Sequence, residues 1–561
     1  MTTERRRWAA GSGLRVSRRR FLALAAAGAG GAAAIAAARG TGVGGFGQIL
    51  ARGGGPRPGG VLRTGTTLPL SYGLDPHVEQ GSGLAIVPRV FGYLLHADPA
   101  GGVARLDQAS MLEQPDATTY VFRLREGVRF QDVPPVSGRA VEAADVVAAV
   151  ERFRDHPLSL NKTWHTTVMS GIHADDPLTV RVTTLRPYVY TVDALGGISS
   201  GAIVPRELTV PGVDFNTSGA GSGPFRIAGV SSQRVRIERH EAYFGAPLPY
   251  LDAMEWRMLA SDTEKLAAFS SGAVDTIAVR DRGQLEEMAG LAGRAVSARQ
   301  PGLAYLSVGL RVDRPPFSDA RVREAIDIAL DRTALIRNLT LGEGEATGPV
   351  NRHLAGGYWS LPANEVVDGF RGLDDIDARR ADARAMISAA GATDAVVRLQ
   401  APDVAALLDV AGAVGAQLAT IGLRVETQAM DRVGWYADYH RGSFEATLIS
   451  QPPWESPEMP TRLYHSAGTD GTGSAFGFRD AAIDALVERS WRETERETRR
   501  NTLVEAQRLM IKARPLIHLF TNSSYAVAWR YVRDWHPELV GSAAQYNYAQ
   551  WLEPEQRAGA N

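Results

Sequence analysis

The chain has 561 residues, 44% hydrophobic and 22% charged, which is more than one hydrophobic core usually supports and points to two or more globular domains. Its 61 basic and 62 acidic residues leave a formal net charge of -1, so no global field draws it to nucleic acid or to an anionic membrane. With no cysteine, disulfides, thiolate metal sites, cysteine nucleophiles and a lipidated cysteine are all excluded.

Residues 17–23 read Ser-Arg-Arg-Arg-Phe-Leu-Ala, and the weakly apolar run 24–38 after them is mostly Ala and Gly. The segment resembles a twin-arginine export signal, with Arg18 and Arg19 as the pair, Phe21 and Leu22 behind them, and Ala36-Ala37-Ala38 as a small-residue cleavage site. A membrane anchor is the alternative, but a spanning helix takes about 20 predominantly apolar residues and Ala and Gly add little transfer energy. Residues 1–38 are therefore expected to be a signal peptide read by the twin-arginine translocase. Residues 39–58, rich in Gly and Pro, are expected to form a flexible mature N-terminus. Gly42, Gly44 and Gly47 have dinucleotide-fingerprint spacing, but no strand precedes them and no helix follows.

Polar and apolar residues alternate as in half-buried strands at 61–64, 120–124, 180–183, 234–239 and 254–258. Glu126-Gly127, between 120–124 and 128–130, reads as a hairpin turn in which Gly supplies the positive φ. Helices concentrate later. The clearest is expected from about 320 to 341, with Val322, Ile326, Ala329 and Leu330 on one face, Asp319 as its cap and Gly342 as its stop. Others are expected over 378–390, ending at Gly391, over 404–421, ending at Gly422, and over 495–513, ending before Pro515. Mixed strands and helices in irregular order, with no internal period, make this an α/β chain and not a repeat array or a sandwich.

Four blocks stand out along this pattern. Gly59-Gly60-Val61-Leu62-Arg63 leads to Leu74-Asp75-Pro76; YVFRLREGVRF at 120–130 precedes Ala144-Asp145-Val146-Val147; Gly221-Ser222-Gly223-Pro224-Phe225 precedes Tyr243-Phe244-Gly245. The fourth runs from Tyr305-Leu306-Ser307-Val308 through Pro315-Pro316-Phe317-Ser318-Asp319 and Arg321-Val322-Arg323-Glu324-Ala325 to Asp331-Arg332, with Tyr464-His465-Ser466 and Pro515-Leu516-Ile517 further on. In this order, over about 59 to 550, they resemble the extracytoplasmic solute-binding proteins of dipeptide, oligopeptide and nickel ABC importers, family 5. Each block also has an architectural reading that needs no family, such as the prolines that hold 315–319 extended before Asp319 caps a helix.

The resemblance implies an α/β, two-lobed, periplasmic-binding-protein-like type II fold. Lobe I would comprise 59–304 and 516–561, with an extra subdomain at about 95–215, and lobe II 305–515. Crossings near 305–310 and 516–520 would form a hinge, with the solute held between the lobes. A cleft for a polar solute wants aromatic walls and a few converging polar groups. Thr66, Thr67 and Tyr72 after the first strand, and Ser450, Gln451, Trp454 and Glu455 after the apparent strand 446–449, are the candidates. Peptide-binding relatives place a Trp and then an ammonium-binding Asp in the latter segment. Here Gln451 and Trp454 stand at those places, with Glu455 next. Either Glu455 replaces the carboxylate, or Trp454 stacks on a solute without an ammonium, or Trp454 is core and Glu455 a solvated loop charge. The loop Gln400-Ala401-Pro402-Asp403 also lacks the Arg by which dipeptide binders resemble one another. An ordinary dipeptide is thus not expected, while longer peptides, glycosides, opines and other polar metabolites stay open.

The eleven His residues are scattered, and His156, His165 and His173, the densest group, share no helix face, so no metal site or cofactor is expected. No Gly-x-Ser-x-Gly elbow, His-Glu-x-x-His helix or phosphate loop is present, so no catalytic residue is assigned. The expectation is a monomeric, periplasmic, unanchored receptor for a peptide-like or other small polar solute. Its partners would be an ABC permease and ATPase, and nucleic acid would not be among them. The alternatives are an exported hydrolase and a solute-sensing adaptor for a membrane receptor.

Overall fold

The computed structural model describes residues 55–70, 73–79, 82–96, 105–159, 162–300, 302–369, 375–451, 454, 456–468, 473–536 and 548–553. The expected signal at 1–38 lies outside the described residues, as does most of 39–58.

In chain order, β1 (Val61–Thr66) is followed by an inserted unit. That unit holds β2 (Ala109–Asp116), β3 (Thr119–Leu124), helix α1 (Ala143–Asp155), β4 (Met169–Asp176) and β5 (Thr179–Thr184). Its strands form a four-stranded sheet in the order β2-β3-β5-β4, on which α1 packs. Gly127 does turn at φ +79, but β3 pairs with β2 and β5, and the chain after the turn makes only a bridge between Arg129 and Ala140. The expected hairpin is therefore absent, because alternation identifies a strand without identifying its partner.

Five strands then return to β1: β6 (Phe225–Val230), β7 (Arg234–Arg239), β8 (Ala253–Met258), β9 (Thr276–Val279) and β10 (Ala295–Gln300). The block at 221–225 joins the insertion to this sheet, and its glycine is required by contact. A Cβ on Gly221 would lie 1.9 Å from the Val90 carbonyl oxygen. The buried Gln131 amide ties the same crossing of segments, donating to the carbonyls of Val90 (3.1 Å) and Phe225 (2.6 Å) and accepting from the Gly221 N–H (3.0 Å).

The second sheet begins with β11 (Tyr305–Leu310). Helices α2 (Ala320–Ala329), α3 (Arg332–Leu339), α4 (Ile376–Ala389), α5 (Ala405–Ala419) and α6 (Arg432–Arg441) are threaded among β12 (Val396–Pro402), β13 (Arg424–Met430) and β14 (Ala446–Gln451). The single helix expected over 320–341 is two. Asp319 caps the first through the Arg321 N–H, and Asp331 caps the second through the Ala334 N–H, with Leu330 extended between them. The break lets fully buried Arg332 reach Asp327 (2.5 Å) and the His518 carbonyl (2.8 Å). The stretch 400–402, expected as a loop, is the end of β12.

After α7 (Glu458–Arg462) and α8 (Arg496–Ala513) the chain returns through β15 (Leu516–Thr521) and β16 (Ser524–Trp529). The sheet orders are β6-β7-β8-β1-β9-β16-β10 and β13-β12-β14-β11-β15. β15 thus belongs to the second sheet, although 516–520 was expected to open the return into the first lobe. β11 likewise is a strand and not itself the hinge. The crossings are the links between Gln300 and Tyr305 and between Thr521 and Ser524.

Those links lie side by side, because Gln300 pairs with Ser524 in one sheet and Tyr305 with Thr521 in the other. The second link spans at most about 11 Å, which keeps the two sheet edges together. A Cβ on Gly302 would lie 2.1 Å from the Asn522 carbonyl oxygen, so only glycine lets the two links touch. Gly302→Ala is expected to cost about 3 kcal/mol or more in a denaturant titration. Gly229→Ala, where a Cβ meets nothing within 4 Å, is expected to change stability by less than about 0.5 kcal/mol.

Candidate functional site

Strand direction decides which residues meet at the crossings. β8 and β9 run parallel to β1, so their C-terminal ends share one edge with Thr66 and Gln300, the edge from which the chain leaves the first sheet. In the second sheet β14 is antiparallel to β11, and β12 and β13 run parallel to β14. Gln451, Pro402 and Met430 therefore end at the edge where Tyr305 enters and Thr521 leaves. The cleft between the lobes is bounded by these two edges, the usual place for a ligand where parallel strands end.

Thr66 is half-buried at the end of β1, its Oγ1 accepting from the Leu68 N–H at 3.1 Å, and Thr67 beside it is half-buried too. On the opposite edge Ser450 is exposed and pairs with Leu306, while Gln451 is 2% exposed and pairs with Tyr305. Trp454 is half-buried, and its indole N–H has no partner. Tyr72, Glu455, Arg18, Arg19, Phe21 and Leu22 lie outside the described residues. Thr66 and Thr67 thus lie at the end of β1 on one of these edges and Ser450 and Gln451 at the end of β14 on the other, and no hydrogen bond joins the two groups among the described residues.

Sequence reasoning missed a contact between the inserted unit and the second lobe. The Val189 N–H donates to the Trp491 carbonyl at 2.7 Å, and the Tyr188 hydroxyl donates to the Glu458 carboxylate. Arg462 reaches Glu458 (3.2 Å), the Tyr188 hydroxyl (3.3 Å) and Thr167 Oγ1 (3.3 Å), and its guanidinium lies 5.0 Å from the Trp491 ring centre. Tyr188, Glu458, Arg462 and Trp491 are all buried. Beside them Arg499 stacks on Tyr190 at 5.4 Å, and burial, against the pull of Arg499, pushes the Asp193 carboxyl up to about 7. Positions some 270 residues apart leave no pattern in a sequence; only the aromatic spacing of Tyr188 and Tyr190 was visible.

Two other constellations invite a chemical reading. Ser307 Oγ lies 2.9 Å from His518 Nδ1, and the Tyr464 hydroxyl lies 2.6 Å from Nε2. Ser307 and His518 are 0% and 3% exposed, however, and burial together with nearby Arg332 brings the imidazole down to about 3. Such a histidine is neutral and a weak base near pH 7. The trio instead satisfies polar groups inside the second lobe. A cavity of about 900 Å³ lies by Arg311, Asp313, His440, Arg441 and Arg479. Arg311 follows the end of β11 farthest from the crossings, and its guanidinium is taken up by Asp313 and the carbonyls of Gly442 and Ala475. Among the described residues no three metal-binding side chains converge.

Comparison with known proteins agrees with this geometry. Residues 108–474 match the family model for bacterial extracellular solute-binding proteins, family 5. The glutathione-binding protein GsiB of Escherichia coli strain K12 is 27% identical over 245 residues, 43% of this chain and 46% of that protein. Its Pectobacterium atrosepticum counterpart is 28% identical over 226 residues, 40% and 42% of the two chains. The chain thus matches a little under half the length of these curated relatives. Among solved structures, the periplasmic binding protein DppA of Helicobacter pylori in complex with the peptide STSA superposes with a TM-score of 0.72. That match has 18% identity and covers 89% of this chain and 99% of that one. AgaA of A. tumefaciens R10 in complex with agropinic acid superposes with a TM-score of 0.69 at 22% identity, covering 88% and 99%. The two-lobed fold of such binding proteins is the fold of this chain, and the chain belongs to the bacterial extracellular solute-binding proteins, family 5.

Proposed function

We propose that the protein is the substrate-binding component of an ABC importer. It holds a peptide-like or other small polar solute between its lobes and presents it to a permease worked by an ATPase. The observation that carries this reading is the pair of adjacent crossings, which set two sheet edges against each other and leave one axis for opening and closing. The solutes of the structural neighbours, a peptide in one and an opine in another, support a small polar ligand without choosing between these classes. Lobe I comprises 59–304 with the returning chain after the second crossing, the subdomain at about 95–215 is its insertion, and lobe II is 305–521. The mature protein is a periplasmic monomer without a lipid anchor.

Thr66, Thr67, Tyr72, Ser450, Gln451, Trp454 and Glu455 are the residues proposed to meet the solute. A solute that binds the folded, closed form alone stabilises it by about 2.7 kcal/mol at 100-fold excess over Kd. Thermal melts against glutathione, Ser-Thr-Ser-Ala, agropinic acid and mannopinic acid are expected to give a raised Tm with at least one of them, recovered chemically unchanged. Trp454→Ala is expected to weaken that solute about tenfold or more, read by calorimetry, because an aromatic wall and an indole donor go together. A product recovered at catalytic yield defeats the binding reading and favours a hydrolase.

The contact of the inserted unit with the second lobe is proposed to be one that closure of the cleft makes, so that its residues bias closure. Asp193 faces Arg499, Glu458 and Tyr190 there. Its carboxyl sits at about 7 in the closed form against the ordinary range near 4 once exposed, so closing takes up a proton. The contribution to closure is complete below the exposed value and is lost as pH rises through 7. The Asp193→Asn variant is expected to melt closest to wild type at about pH 4 and progressively further above it as pH rises toward 8; parallel pH profiles of Tm contradict the assignment.

Export is proposed to follow the twin-arginine route through residues 1–38. Arg18→Lys with Arg19→Lys is expected to leave the chain unprocessed in the cytoplasm, measured by fractionation and mass of the mature N-terminus. Full export of that double variant rules the route out.

A further inference from the structure

Buried polar atoms without hydrogen-bond partners are rare, because burial removes their water and returns nothing. Three fall at one end of the second sheet. Gln451, Thr521 and Ser523 are 2%, 0% and 1% exposed, and Gln451 Nε2, Thr521 Oγ1 and Ser523 Oγ have no partner. The register places Gln451 and Thr521 on either side of Tyr305, and direct partners in antiparallel strands present their side chains to the same face. The Tyr305 hydroxyl is already spent on the Pro349 carbonyl at 3.0 Å. One strand position further, Glu345 bridges to Thr521, and its carboxylate is occupied by Arg299 (3.0 Å), Arg352 (3.3 Å) and His353 (3.3 Å). The unsatisfied capacity in this row is therefore the uncharged part.

We propose that Gln451, Thr521 and Ser523 form a hydrogen-bonding subsite at the hinge that takes an uncharged hydroxyl- or amide-bearing group of the solute, with the Trp454 indole N–H donating at its margin. The proposal rests on the solute-binding reading of the cleft and adds residues of the returning chain, Thr521 and Ser523, to it. A carboxamide and two hydroxyls each donate and accept, and so match groups that do both. A charged group brought there would lose its water and gain no opposite charge from these three side chains, so the subsite selects against it. Thr521 and Ser523 flank Asn522 in the second crossing, where the Gly302 contact and the Asn351 amide, donating to the carbonyls of Gly302 (3.0 Å) and Leu303 (2.7 Å), fix the backbone. The subsite is thus held on the part of the molecule that closure moves least.

The test is calorimetric titration of wild type, Thr521→Val, Ser523→Ala and Gln451→Leu with glutathione, Ser-Thr-Ser-Ala, agropinic acid and mannopinic acid, with melts of each solute-free protein. Each variant is expected to bind the tightest of the four about 3- to 10-fold more weakly, the effect of one neutral hydrogen bond. The solute-free Tm of Thr521→Val and Ser523→Ala is expected to stay level or rise, since an unpaired hydroxyl is removed. Ser159→Ala, which deletes an equally buried and unpartnered hydroxyl in the inserted unit, is expected to leave affinity unchanged. Wild-type affinity in all three variants overturns the subsite while the cleft reading stands. A lower solute-free Tm in Thr521→Val or Ser523→Ala overturns it by showing a hydroxyl already satisfied by buried water. A wild-type protein that binds none of the four defeats the cleft reading and the subsite with it.

Discussion

The pairing of Gln300 with Ser524 and of Tyr305 with Thr521 is the constraint on which the rest of the molecule depends. Each sheet contributes two adjacent strands, and the chain passes between them twice within one strand spacing. A body joined in this way keeps one easy motion, rotation about the paired links, because sliding or twisting would break ladder hydrogen bonds on both sides. The contact between Gly302 and Asn522 and the hold of Asn351 on the first link make the axis a definite place. The cleft follows from strand direction: every parallel strand that ends at this line opens its last residue toward the other lobe.

A second set of interactions joins the two lobes away from the crossing links. The inserted unit reaches the second lobe through Tyr188, Val189 and Arg462, in a contact where a buried arginine, a carboxylate and a phenol satisfy one another. A buried ion pair of this kind adds little net stability but strongly disfavours arrangements that leave one partner alone. Such a pair therefore fixes one arrangement of the inserted unit against the second lobe more than it deepens it. Asp193 brings a titratable carboxyl to the same surface, raised by burial against the pull of Arg499.

Much of this architecture was legible in the sequence, for reasons that can be named. Gly391, Gly422 and Pro515 end helices where expected, since helix termination is local chemistry. Asp331 was not read as a second cap, because the break before α3 serves buried Arg332, and that need is tertiary. The run 516–520 was apolar enough to be a strand, yet only its partner β11 says which sheet it joins. In the candidate site, Ser450 and Gln451 could be found at the end of an apolar run before two prolines. Thr521 and Ser523 read as ordinary loop residues, and their meaning appears only when the register buries them beside Tyr305. Tyr188 and Glu458 share no local signal at all.

The absence of cysteine from the chain permits a direct test of the central claim, that a solute closes two lobes about this axis. Ser231, in the turn between β6 and β7, and Val433, at the start of α6, are both exposed. They lie at the cleft-facing edges of the two sheets, on the strands farthest from the crossings, where rotation gives the largest displacement. A fluorophore pair on Ser231→Cys and Val433→Cys, followed one molecule at a time, is predicted to exchange between a long and a short separation. Saturating solute is predicted to move the population to the short one, and an unchanged separation with the solute bound contradicts the account.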